Sequence, residues 1–159
     1  MDIIRIKNTD ITQAGKIINV SDDLPFQTIL YSVKDVLGNR VYYTEQAEQY
    51  IKDSRMRKIG QQYVLNYLNK IPIILADPSI IIYDPEDVLN KTFLYYKEIH
   101  IKEKSKQVLF SLVVKLLKER IVYNFFPQES GRAKSKGGEF QPKIVYIKRE
   151  YKRTKYFKG

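Results

Sequence analysis

The stretch TFLYYKEIHI, residues 92–101, alternates two sets of side chains. Phe93, Tyr95, Lys97, Ile99 and Ile101 fall on one face of an extended chain and Leu94, Tyr96, Glu98 and His100 on the other, because successive strand residues point to opposite sides. The run predicts a strand. A charged turn follows, KEKSK at 102–106, and then come VLFSLVVKL at 108–116 and RIVYNFF at 120–126, joined around Lys118 and Glu119. Both are read as strands, although the apolar content of VLFSLVVKL alone also suits a helix.

Upstream, the first forty residues read as short strands, DIIRIK at 2–7 and QTILYSV at 27–33, the latter before the turn signal Leu37-Gly38-Asn39. VYYT at 41–44 looks extended, and Thr44 stands where a helix N-cap belongs, with the acid Glu45 in the first turn. A helix from about Glu45 to Arg55 aligns Ala47, Tyr50 and Ile51. A second, starting near Lys58, aligns Ile59, Tyr63, Leu65 and Leu68 and ends near Lys70, because Ile71 precedes a proline. Pro72 opens a short helical turn through Leu75, Asp77-Pro78 closes it, and SIIIY at 79–83 is β-branched enough for a buried strand. Downstream, PQESGRAKSKGGEFQP at 127–142 marks a loop or boundary. KIVYIKREYKRTKY at 143–156 is either a last strand with a frayed end or a tail that orders on its ligand. The pattern predicts an α+β domain over 1–129, with N-terminal strands and helices packed on a curved antiparallel sheet of about four strands, and a basic C-terminal extension over 130–159.

A chain of 159 residues, 43% hydrophobic and 29% charged, buries enough surface for an ordinary core. Its longest apolar run, VLFSLVV at 108–114, is far short of the roughly 18 residues a membrane crossing needs. Met1, Asp2, Arg5 and Lys7 do not make a secretory signal, so a cytoplasmic protein without a membrane partner is expected. Zero cysteines exclude a disulfide framework and thiol catalysis, and a single histidine argues against a histidine-built metal site. No phosphate-binding GxxxxGK[ST], no GxGxxG and no spaced acidic cluster occurs, so no cofactor and no metal is expected.

The charge is uneven. Of the net +10, residues 130–159 carry +8, ten basic side chains against Glu139 and Glu150, and the other 129 residues carry +2. Such asymmetry points to a polyanion partner. Within this end, Arg132, Lys134, Lys136, Lys148, Arg149, Lys152, Arg153 and Lys155 are candidate phosphate contacts, and Tyr146, Tyr151 and Tyr156 recur every five residues as faces for bases. The bland alternative is a solvated tail. A second basic group, Lys52, Arg55, Arg57 and Lys58, is either a phosphate-facing cluster or a set of cations favoured by a helix C-terminus. His100, with Glu98 on the same strand face, suits general acid or base work, or is simply a polar surface residue. Tyr123 and Asn124 are candidates to orient a phosphate, against the default that a strand aromatic is core.

The order of EQAEQYIKDSRMRK, IPIILADPSIIIY, TFLYYKEIHI, VLFSLVVKL and RIVYNFF resembles the phage-associated branch of the barnase, EndoU, colicin and RelE-like nuclease superfamily. Ile71, Ile74, Leu75, Pro78 and Ile81 reproduce its I-x-x-I-L-x-x-P-x-x-I segment, and the similarity spans roughly residues 40–127. Tyr50 and Arg55 stand where such proteins carry histidines. The resemblance implies a RelE/barnase-like fold and a metal-independent endoribonuclease of toxin or mobile-element type, helping the 2′-hydroxyl attack the adjacent phosphate. Arg55 would stabilise the phosphate, His100 act as acid or base and Tyr123 orient. It also implies RNA rather than DNA as the nucleic-acid partner and an acidic antitoxin or inhibitor as a protein partner. The alternatives are a non-catalytic nucleic-acid-binding protein of the same fold and a phage or mobile-element protein-interaction module.

Overall fold

The computed structural model describes residues 9–128 and 143–148. In chain order the strands and helices are β1 (Thr9–Asp10), β2 (Ile17–Ile18), β3 (Gln27–Lys34), β4 (Arg40–Thr44), α1 (Glu45–Arg57), a 3-10 helix (Gln62–Lys70) and α2 (Ile71–Ala76). Then come β5 (Ile80–Tyr83), β6 (Thr92–Ile101), β7 (Lys106–Leu116), β8 (Arg120–Pro127) and β9 (Ile144–Ile147).

The strands form one nine-stranded mixed sheet in the order β1-β3-β4-β8-β7-β6-β5-β9, with β2 beside β1 on the outer edge of β3. This corrects the expected four-stranded antiparallel sheet with the N-terminal strands packed upon it. The β3–β4 hairpin does not lie across the sheet. It extends it edge to edge, pairing Val41 with Arg120 and Tyr42 with Ile121 in parallel. The exposed start of β8 thereby gains a neighbour, which satisfies backbone groups that an open edge would leave unpaired. On the far side β9 adds to β5, with Ile80 opposite Ile147 and Ile81 opposite Tyr146. Of the two readings of KIVYIK, the strand is what residues 144–147 adopt, so the sheet includes part of the segment assigned to the extension. DIIRIK lies outside the described residues.

The meander at the centre follows the sequence closely. β6 pairs with β7 along its length, from Thr92 opposite Lys115 to Ile101 opposite Lys106. Phe93, Tyr95, Ile99 and Ile101 face the helices, and Leu94 and Tyr96 join Ile80, Ile82, Leu109 and Val113 in a second cluster on the opposite face. Both faces of mid-β6 are buried, which is why its centre reads as an unbroken apolar run. In β8 the register slips between Val113 and Val114: Val113 faces Asn124 and Val114 faces Val122. Tyr123 is therefore the extra residue of a β-bulge, and a bulge re-aims its side chain.

The helices cover the first face. Thr44 caps α1 by accepting the Ala47 N–H at 3.1 Å. Ala47 and Ile51 are buried, but Tyr50, expected beside them, lies outside. The expected second α-helix from Lys58 is instead a turn at Gly60 (φ +83°) followed by the 3-10 helix. Ile59 is 99% exposed, and the buried residues are Val64 and Tyr67. Their spacing of three matches the three-residue turn of a 3-10 helix. Pro72 sits in the first turn of α2, where its missing N–H costs nothing, and Ile71, Ile74 and Leu75 fill the core.

Two polar clasps fix this layer. Tyr67 donates to Glu103 at 2.6 Å and accepts from the Lys102 N–H at 2.9 Å, so the 3-10 helix holds the β6–β7 turn. Asp77, just after α2, takes Lys97 of β6 at 3.2 Å and Lys148 beyond β9 at 2.9 Å. No helix among the described residues is long and apolar enough to cross a membrane.

Candidate nucleic-acid interface

Arg55 is in the last turn of α1, where the carbonyl ends of the helix favour a cation. It is only 3% exposed. Its Nη1 donates to Gln61 Oε1, its guanidinium carbon lies 5.6 Å from the Phe126 ring centre, and Nε has no hydrogen-bond partner. Burial pulls its pKa down, with Tyr50 acting weakly the other way. Among the described residues no carboxylate pairs with it. A side chain so enclosed does not reach the phosphate of a polymer.

His100 lies at the far end of β6, exposed, opposite Gln107. Tyr123 is beside Val113 and Val114. From Gln107 to Val113 is six strand steps, about 20 Å at roughly 3.3 Å each. The structure therefore does not bring Arg55, His100 and Tyr123 into one site. Lys52 pairs with Glu48 at 2.9 Å one helical turn away, and Arg57 and Lys58 are exposed at the end of α1. Lys148 is engaged by Asp77 and Tyr146 lies within β9. Arg132, Lys134, Lys136, Arg149, Lys152, Arg153, Lys155, Tyr151 and Tyr156 lie outside the described residues.

What the structure does assemble is an aromatic platform. The bulge turns Tyr123 outward from β8 toward Tyr50 on α1, with ring centres 5.2 Å apart and planes at 38°. The Lys115 ammonium stands 3.8 Å from the centre of the Tyr123 ring, within the range of a cation–π contact. Burial, then the neighbouring Tyr50, raises the Tyr123 pKa, so its phenol stays protonated at neutral pH. Tyr50 and Tyr123 remain 42% and 41% exposed. They border a cavity of about 350 Å³ whose floor is largely apolar, with Leu24 and Leu117 at its rim.

Two flat rings with accessible faces and a fixed cation nearby can stack a planar base and neutralise an adjacent phosphate. The helical wheel grouped Tyr50 with Ala47 and Ile51, and a bulge without glycine leaves no mark in RIVYNFF; the pair was hidden for those reasons. Among the described residues no group of three or more His, Asp or Glu side chains could hold a metal ion. Comparison with known proteins gives no match: no family model, no curated protein and no solved structure aligns significantly with this chain.

Proposed function

We propose that the chain is a single-stranded nucleic-acid-binding protein, directed first to RNA. The observation that carries this reading is the Tyr50–Tyr123 pair with Lys115 at its side. Base–aromatic stacking contributes about 1–3 kcal/mol per base and tolerates any base. The basic end of the chain, +8 over residues 130–159, supplies the charge for counterion release. RNA comes first because its recognition relies largely on unstacked single-stranded bases laid on aromatic rings.

The separation of Arg55, His100 and Tyr123 favours binding over cleavage by those three groups. The test is fluorescence anisotropy with a labelled single-stranded RNA across a salt series, beside incubation of unlabelled RNA with the protein in EDTA. The expected result is binding that weakens linearly in log affinity against log salt, and RNA that stays intact. Affinity independent of salt would move the reading to a protein-interaction module. Cyclic-phosphate products in EDTA would restore the endoribonuclease.

A further inference from the structure

At the other end of β8 from the platform lies a second depression, of about 330 Å³. Lys104 and Lys106 line it, together with three carboxamides, Gln61, Gln107 and Gln128, and the Tyr63 ring. No acidic side chain borders it. The nearest acid in sequence, Glu103, is committed elsewhere, accepting from Tyr67 at 2.6 Å and Asn66 at 2.9 Å. Lys104 stands 5.0 Å from the centre of the Tyr63 ring, which places its ammonium over an aromatic face.

Behind this wall is Arg55. Its only hydrogen bond is to the Gln61 oxygen, so the carboxamide that lines the depression also anchors a buried guanidinium without a carboxylate. Charge in a poorly solvated place projects its field further than the same charge in water. Two lysines at the mouth and one arginine beneath make a concave, positive, hydrogen-bonding surface. Lysine ammoniums and side-chain amides are the groups that hold phosphate oxygens in nucleic-acid interfaces.

We propose that this depression binds a phosphate group, and that the phosphate belongs to the same single strand whose base stacks at Tyr50 and Tyr123. The proposal rests on the function proposed above. The two sites are about 20 Å apart along β7 by strand geometry. A strand of several nucleotides spans that distance, within the site sizes of about 4–16 nucleotides known for single-strand binders.

The experiment compares the full chain with Lys104→Gln/Lys106→Gln, Lys104→Arg/Lys106→Arg and Tyr123→Ala, using a single-stranded RNA octanucleotide over a salt series. Both lysines are exposed, so the variants should fold, which thermal melting verifies. The glutamine variant should bind at least tenfold more weakly, with the log–log salt slope smaller by about 1.4, or about 0.7 for each lost phosphate contact. The arginine variant should restore both, whereas Tyr123→Ala should lower affinity and leave the slope nearly unchanged. A glutamine variant with the wild-type slope would overturn the phosphate site while leaving the binding function standing.

If the wild-type chain binds no octanucleotide, the proposed function fails, and a nucleoside monophosphate then decides the depression alone. Amide shifts at Lys104, Lys106 and Gln107 on titration, absent in the glutamine variant, would keep it as a site for a free nucleotide phosphate. Their absence in the wild type would overturn it.

Discussion

The Tyr95 hydroxyl, at the centre of the sheet, donates to the Asp35 carboxylate 60 residues earlier in the chain. The other carboxylate oxygen of Asp35 accepts the N–H groups of Leu37 at 3.0 Å and Asn39 at 2.8 Å, closing the β3–β4 turn. One buried side chain thus shapes the hairpin and fastens it to the meander. Burial, then the nearby Asp35 charge, pushes the Tyr95 pKa far up, so the phenol is a proton donor at every working pH. Tyr95→Phe should cost about 1–3 kcal/mol, the penalty for leaving a buried acceptor without its donor. Asp35→Ala should cost more, because two backbone donors lose their partner as well. Urea denaturation followed by circular dichroism measures both; equal stability of wild type and Asp35→Ala would refute the clasp.

Arg55→Met removes a buried cation that has no carboxylate to answer it, while keeping the length of the side chain beside Phe126. Replacing buried charge with an apolar group of similar volume is often neutral or stabilising. The melting temperature should stay level or rise, and RNA affinity should fall modestly through the loss of positive field behind Lys104 and Lys106. A loss beyond about 3 kcal/mol, the range for breaking a buried ion pair, would show that Arg55 has an anionic partner.

Tyr123→Ala should weaken single-stranded RNA binding by roughly 5- to 150-fold, corresponding to about 1–3 kcal/mol of stacking. Tyr123→Phe should keep most of the affinity, since the ring stacks and the hydroxyl does not. Because the side chain is a bulge residue turned outward, neither change should lower the melting temperature by more than a few degrees. Equal affinity of the alanine variant and the wild type would remove the platform from the interface.

Acid should loosen β9. Partial burial alone would raise the Asp77 pKa, but hydrogen bonds and charges from Lys148 and Lys97 outweigh it and hold the value below the usual 3.8. A depressed carboxylate contributes its stabilisation above the unfolded-state pKa and loses it as pH falls through the folded-state value. The contribution is therefore intact at neutral pH and fades below about pH 4. Amide exchange over residues 144–147 should accelerate more between pH 6 and pH 3 than the intrinsic rate explains. Asp77→Asn should abolish that excess; an excess of the same size in the variant would assign the effect to another group.

Cutting the chain after residue 129 removes β9 and bares the edge of β5 at Ile80–Ile82. The sequence reading placed a boundary there and implied a stable remainder. With the strand seen in the sheet, the truncated chain should melt lower and aggregate more readily, since a bare, β-branched edge is a template for further pairing. Scanning calorimetry and light scattering on the truncated chain decide this; unchanged melting would make β9 dispensable.

Much of the fold could be read from local chemistry. Thr44 before Glu45 announced α1, Pro72 announced α2, and the alternation from Phe93 to Ile101 assigned both faces of β6 correctly. Those signals act within a few residues. The parallel pairing of Val41 with Arg120 did not show, because periodicity says which face a residue takes and nothing about which strand lies beside it. Ile59 misled because an apolar residue at helical spacing was counted as core, whereas Gly60 turns the chain and leaves it in solvent. The basic end was visible as composition. The Tyr50–Tyr123 pair was not, since it depends on one slipped residue in a strand whose letters look regular.

The parallel seam between β4 and β8 also bears on how the molecule assembles. Strands β5 to β8 are neighbours in sequence and can zip one after another with short loops to close. The seam joins residues 41 and 120, so nearly the whole described chain must be gathered before it forms, and it offers only two paired positions in return. Loop closure over such a span costs entropy before any contact repays it. Folding should accordingly run from the meander outward, with the N-terminal hairpin docking last and, when the protein opens, leaving first.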